Sequence, residues 1–168
     1  MKKITLIDTV KDKLFDQFMS NIRQVIDPKK IDVVISNHTE MDHTGSLPKI
    51  MHLIGKDKPI YCSKMGKKNL SLHFGDGLYY IPVSDGDKLS IGKRELMFLE
   101  TRMLHWPDSM FTYIPEEKIL FSSDAFGEHY ATSRRFDHEV DEEELFRQAK
   151  KILCKYTPSL FQPGSKIS

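Results

Sequence analysis

The stretch Asn37 to Ser46, NHTEMDHTGS, sets four side chains able to bind a metal within six positions: His38, Glu40, Asp42 and His43. An apolar run precedes it and a helix-like pattern follows. No single regular element can aim all four at one point. On a helix His38 and Glu40 point apart, and on a strand Asp42 and His43 face opposite sides. The pattern therefore calls for a loop at the carboxyl end of a strand, where open α/β sheets place their ligands. A polar surface loop with a helix cap at Asp42 or Thr44 is the alternative. Capping, however, does not require imidazole and carboxylate to alternate.

The surrounding chain supplies such a strand. Ile4 to Ile7 is a short apolar run, and Asp8 or Thr9 is placed to cap the helix after it. Val10, Leu14, Phe15, Phe18, Met19, Ile22, Val25 and Ile26 recur at helical spacing up to Asp27-Pro28. Ile31 to Ser36 reads as a second strand, buried on both faces. Ser46 to Ile54 is predicted as a short helix, Lys58 to Cys62 as a strand, and Lys64 to Phe74 as a helix closed by Gly75. The rhythm then changes. Leu78 to Val83, Lys88 to Ile91, Glu95 to Glu100, Met110 to Ile114 and Lys118 to Ser122 are strand-like and separated by turn residues, as in an antiparallel meander. Asp141 to Ile152 opens with an acidic turn and continues as a helix. These elements define an α/β domain over residues 1–154, and residues 155–168 read as an irregular tail.

Two further segments carry ligand candidates. His105 lies in a loop between strands, and Asp124 lies at the end of one. A histidine alone in a loop or a carboxylate alone in a turn would mean little. With the first cluster they make three histidines and three carboxylates, more than one metal needs, so the set points to two metals sharing one carboxylate. Imidazole and carboxylate without thiolate suit iron, manganese or zinc. Glu40 adds charge and hardness and favours iron over zinc.

The text His38-Thr39-Glu40-Met41-Asp42-His43, followed by His105-Trp106-Pro107-Asp108-Ser109 and by Phe121-Ser122-Ser123-Asp124-Ala125-Phe126, resembles the diiron site of flavodiiron proteins. Leu6-Ile7-Asp8-Thr9-Val10 is similar too, and the likeness runs from about Ile4 to Lys151. The resemblance implies a metallo-β-lactamase-like αββα sandwich. It implies that His38, Glu40 and His105 hold one iron, that Asp42 and His43 belong to a second, and that Asp124 bridges them. It implies reduction of dioxygen to water or of nitric oxide to nitrous oxide, in a head-to-tail homodimer fed by a flavin. Trp106, Phe126 and Tyr130 are candidates for a dry wall.

Family members have strands before the Leu-Ile-Asp-Thr-Val text, a further histidine ligand after the acidic helix, and a flavodoxin-like domain carrying FMN. None of these is in this sequence. The sandwich is therefore expected to be incomplete at both ends, with an exposed edge or apolar face. The second iron is expected to be held weakly, and His129 is placed in its surroundings or in a loop. FMN is not expected on this chain, since no Gly-rich phosphate loop occurs. Electrons would come from an external flavoprotein or a rubredoxin-like donor. A dioxygen-binding sensor, an inactive fragment and a metal-dependent hydrolase are the other readings, with Glu40 against the last.

Composition removes other classes. A formal net charge of +1 gives no broad attraction to nucleic acid or anionic membrane. No apolar run approaches a membrane span. Cys62 and Cys154 lack metal-type spacing and read as reduced thiols of a cytoplasmic protein.

Overall fold

Val33, Val34 and Ile35 succeed one another with no polar residue between them, and all three are buried. Such a run requires cover on both faces, which a parallel sheet between layers provides. The computed structural model, which describes residues 2–127 and 130–156, shows this arrangement. Strands β1 (Thr5–Ile7), β2 (Val33–Ser36), β3 (Ile60–Ser63) and β4 (Tyr80–Val83) form one parallel sheet in sequence order. Strands β5 (Lys88–Ser90), β6 (Glu95–Glu100), β7 (Met110–Ile114) and β8 (Ile119–Phe121) form a second, antiparallel one. Leu78 to Val83 thus belongs to the parallel sheet, with Ile60 opposite Tyr80, and not to the meander. The crossover through Lys64–Phe74 explains this, because a helix between two strands returns the chain parallel.

Side chains alternate between two cores. Val34, Ile60 and Cys62 face helices α1 (Phe15–Val25), α3 (Leu47–Ile54) and α4 (Lys64–Phe74), meeting Met19, Ile50, Met51 and Leu70. Val33, Ile35 and Val83 face the second sheet and meet Leu96, Phe98, Met110 and Ile114. The order helix layer, sheet, sheet is that of the sandwich. A fifth helix, α5 (Glu142–Tyr156), has the 3-10 turn Asp137–Glu139 as its main neighbour. It runs past the boundary at residue 154, and residues 157–168 lie outside those described. At one edge of the second sheet, β8 leaves Ile119, Leu120 and Phe121 exposed. Among the described residues no helix is long and apolar enough to cross a membrane.

Near the site two local expectations change. The helix after β1 has no cap from Asp8 or Thr9. It begins at Phe15 behind a 3-10 turn, Asp12–Leu14. The second half of the His38 to His43 stretch is not loop but one helical turn, α2 (Met41–Thr44), which carries Asp42 and His43. Gly45 closes it. A Cβ at Gly45 would stand 2.6 Å from the Met41 carbonyl oxygen and 2.8 Å from the Asp12 amide nitrogen, both backbone atoms. Gly45→Ala is therefore expected to cost about 1–3 kcal/mol in urea denaturation and to shift α2. An unchanged midpoint would show that the turn has slack.

Candidate metal centre

Backbone ties bring the candidate residues together. Asn37, fully buried at the end of β2, links the sheets: the Met110 amide donates to its carbonyl, Thr112 Oγ1 donates to its Oδ1 at 2.7 Å, and its Nδ2 donates to the Phe121 carbonyl. The ends of β2, β7 and β8 are thereby locked side by side. His38 follows Asn37, Asp108 precedes β7, and Asp124 follows β8 in the 3-10 turn Ser123–Phe126.

His38 is 1% exposed. Its Nε2 lies 3.3 Å from Glu40 Oε2 and 3.9 Å from Asp124 Oδ2. His105 Nε2 lies 3.7 Å from the same Glu40 oxygen and 3.5 Å from Asp124 Oδ2. One ligand atom from each of His38, Glu40, His105 and Asp124 falls within 4.8 Å of the others. Metal–ligand bonds of about 2.1 Å put neighbouring donors about 3 Å apart and opposite ones about 4 Å apart. The cluster is therefore slightly wider than a coordination shell, which a small inward movement of its donors would close.

Asp124 also meets a third imidazole. His43 Nε2 is 3.1 Å from both of its oxygens and 3.9 Å from Asp42 Oδ1. Asp42 Oδ1 is buried with no hydrogen-bond partner among the described residues. A buried carboxylate oxygen without a donor is costly and suits a cation. All six sequence candidates thus lie around Asp124, four in one cluster and Asp42 and His43 beside it. Trp106 is brought to the site as well, its ring 5.8 Å from that of His38. Phe126 leans on Phe111 at 6.3 Å and is exposed. His129 lies outside the described residues.

Two aspartates complete the site that residue spacing did not single out. Asp108 Oδ2 is 3.1 Å from His38 Nδ1. Asp8 Oδ2 is 3.4 Å from His43 Nδ1, while Asp8 Oδ1 accepts the Asn37 amide at 2.7 Å. Asp8 is no cap: its φ of 55° turns the chain at the end of β1 so that the carboxylate meets this amide and imidazole. The only sequence signal for either residue was its place within the text shared with flavodiiron proteins.

These contacts set the charges. Burial pushes the His43 pKa down, but hydrogen bonds to Asp124 and Asp8 outweigh it and raise it to about 10. For His38 burial is likewise outweighed, by Asp108 and Glu40, and the pKa is raised. The hydrogen bond from His43 is the main reason Asp124 is lowered. Asp108 is lowered because hydrogen bonds from His38 and Thr39 exceed the effect of burial. Without a cation, a proton holds His43 between Asp8 and Asp124.

The sequence matches the family described as ODP family beta lactamase over residues 1–160. The chain belongs to that family. Proteins similar to it include flavodiiron proteins and nitric oxide reductases. A nitric oxide reductase of Moorella thermoacetica is 41% identical over 166 residues, which are 98% of this chain and 40% of that protein. The rubredoxin oxygen:oxidoreductase of Desulfovibrio gigas superposes with a TM-score of 0.83 at 40% identity, covering 89% of this chain and 37% of that one. The flavodiiron protein of Giardia intestinalis gives 0.82 at 39% identity, covering 94% and 38%. This ODP-family chain therefore spans about two fifths of the length of those relatives.

Proposed function

We propose that this chain is a diiron oxidoreductase domain of the flavodiiron kind, reducing dioxygen to water or nitric oxide to nitrous oxide. His38, Glu40 and His105 would hold one iron and Asp42 and His43 the second, with Asp124 shared between the two sets. The observation that carries the reading is the single Asp124 carboxylate within 3.9 Å of three imidazoles, those of His38, His105 and His43. The donor set of imidazole and carboxylate suits iron. Iron, when bound, would supply the electron-transfer chemistry.

The residues of the chain do the rest. His38, buried, and Asp42 and His43, carried on α2, fix the donors in place. Glu40 and Asp124, with side chains 43% and 36% exposed, leave the site open on one side to a small molecule and to protons. Trp106 covers part of the His38 ring. Four electrons and four protons convert dioxygen to two waters; two of each convert two nitric oxides to nitrous oxide and water. The electrons come from an external flavoprotein or a rubredoxin-like donor in the cytoplasm, to which the chain presents itself as a homodimer.

The test is iron content after anaerobic reconstitution, followed by gas consumption with a reduced flavoprotein or rubredoxin donor. About two irons per chain and donor-dependent consumption are expected, with the second iron the more easily chelated. Glu40→His should shift retention from iron towards zinc by about tenfold or more. A parent chain that keeps zinc over iron and hydrolyses a lactam or thioester would overturn the reading.

A further inference from the structure

Three hydrogen-bond donors converge on one oxygen of Asp108, a residue 1% exposed. The Thr39 amide donates to Oδ2 at 2.8 Å and the Thr39 hydroxyl at 2.7 Å, with His38 Nδ1 at 3.1 Å. The directions are forced. An amide N–H only donates. The Thr39 hydroxyl accepts from Asn69 Nδ2 at 3.0 Å, so its own proton goes to Asp108. Oδ2 is thus an acceptor throughout, and a proton on Oδ1 would find no acceptor among the described residues. With Oδ2 accepting, His38 donates to it through Nδ1.

We propose that Asp108 is the positioning residue of the metal centre: held by Thr39 and, through it, Asn69, it takes the His38 Nδ1 and so turns Nε2, the nitrogen left to ligate, towards Glu40 and Asp124. The support reaches back into an element that holds no ligand. Ser63 Oγ accepts the Gly66 amide at the start of α4 and donates to the Asp108 carbonyl at 2.8 Å, and α4 carries Asn69. Helix α4 therefore sets both the backbone and the carboxylate of Asp108. His43 is held more loosely on its outer side, with Asp8 at 3.4 Å and Ser123 Oγ at 3.5 Å from Nδ1.

This inference rests on the metal-centre reading, and the experiment separates the two. The full chain is labelled with nitrogen-15, and the His38 ring is observed metal-free and with zinc(II), a diamagnetic probe. Expected for the parent is a slowly exchanging, downfield Nδ1–H signal in both forms, with zinc changing Nε2. Asp108→Ala should lose that signal and bind zinc about 10–100-fold more weakly. Asp108→Asn, whose amide oxygen still accepts, should restore the signal with an intermediate affinity. Asn69→Ala, which leaves the carboxylate in place, should speed exchange of the same proton and keeps the test open should Asp108→Ala fail to fold. Zinc bound through Nδ1, or a parent without the protected Nδ1–H, overturns the proposal. A protected Nδ1–H with Nε2 indifferent to zinc overturns the metal-centre reading instead, and the positioning role with it, while leaving the hydrogen bond intact.

Discussion

Asp124→Ala is expected to leave less than about half an iron per chain where the parent holds about two, because a lost ligand costs more than the about 10–100-fold typical of an outer partner. The substitution removes the one carboxylate that both halves of the site share. What remains is His38, Glu40 and His105 on one side and Asp42 with His43 on the other, three donors and two. Asp42→Ala is the contrast, since it touches the second half alone and should leave about one iron. Asp124 is 36% exposed and sits in a 3-10 turn, so its removal opens no core cavity. The folded chain should survive with its circular dichroism unchanged. Elemental analysis with chelator competition is the measurement. Retention of both irons in Asp124→Ala would mean that the carboxylate is a neighbour of two independent sites and not their bridge.

How much of this was legible beforehand depends on the kind of signal. Val33 to Ile35 and the run Lys64 to Phe74 announced themselves, since unbroken apolar character and a terminal glycine are local properties. Of the ligand candidates, His38, Glu40, Asp42 and His43 stood out because imidazoles and carboxylates at that spacing have few other uses, whereas His105 and Asp124 gained meaning only beside them. Pairing direction was not. Leu78 to Val83 resembles the strands that follow it, and only its crossover from β3 through α4 shows that it is parallel. The aspartates behind the histidines were hidden for another reason. Asp8 looks like a helix cap and Asp108 like a turn residue, and each is decided by a partner far away, His43 35 residues on and His38 70 residues back. Asn37 likewise reads as a polar strand end, although it ties β2 to both β7 and β8.

Metal and proton compete for the same imidazoles, so stability should depend on pH in opposite ways with and without metal. The His43 pKa rises from 6.5 to about 10 in the folded chain. A raised value stabilises fully below the unfolded pKa, and that contribution is lost as pH climbs from about 6.5 towards 10. The difference corresponds to at most about 5 kcal/mol, and the partial exposure of Asp124 reduces it to about 2–3 kcal/mol. The lowered values of Asp124 and Asp108 work at the other end. Their contribution is present above the usual carboxylate range and is lost as pH falls through their folded values. The His43–Asp124 contact is one interaction seen from two sides and counts once. The metal-free chain should therefore be most stable between about pH 4 and 6.5 and melt progressively lower above that. Iron binding requires neutral His43 and His38, so the gain in melting temperature on adding ferrous iron anaerobically should be small near pH 6 and grow towards pH 9. Thermal melts across that range, with and without metal, decide the matter. A metal-free midpoint that stays flat from about pH 6.5 to 9 would mean that His43 is not held as a cation between Asp8 and Asp124. The proton would then not be the stand-in for the second metal.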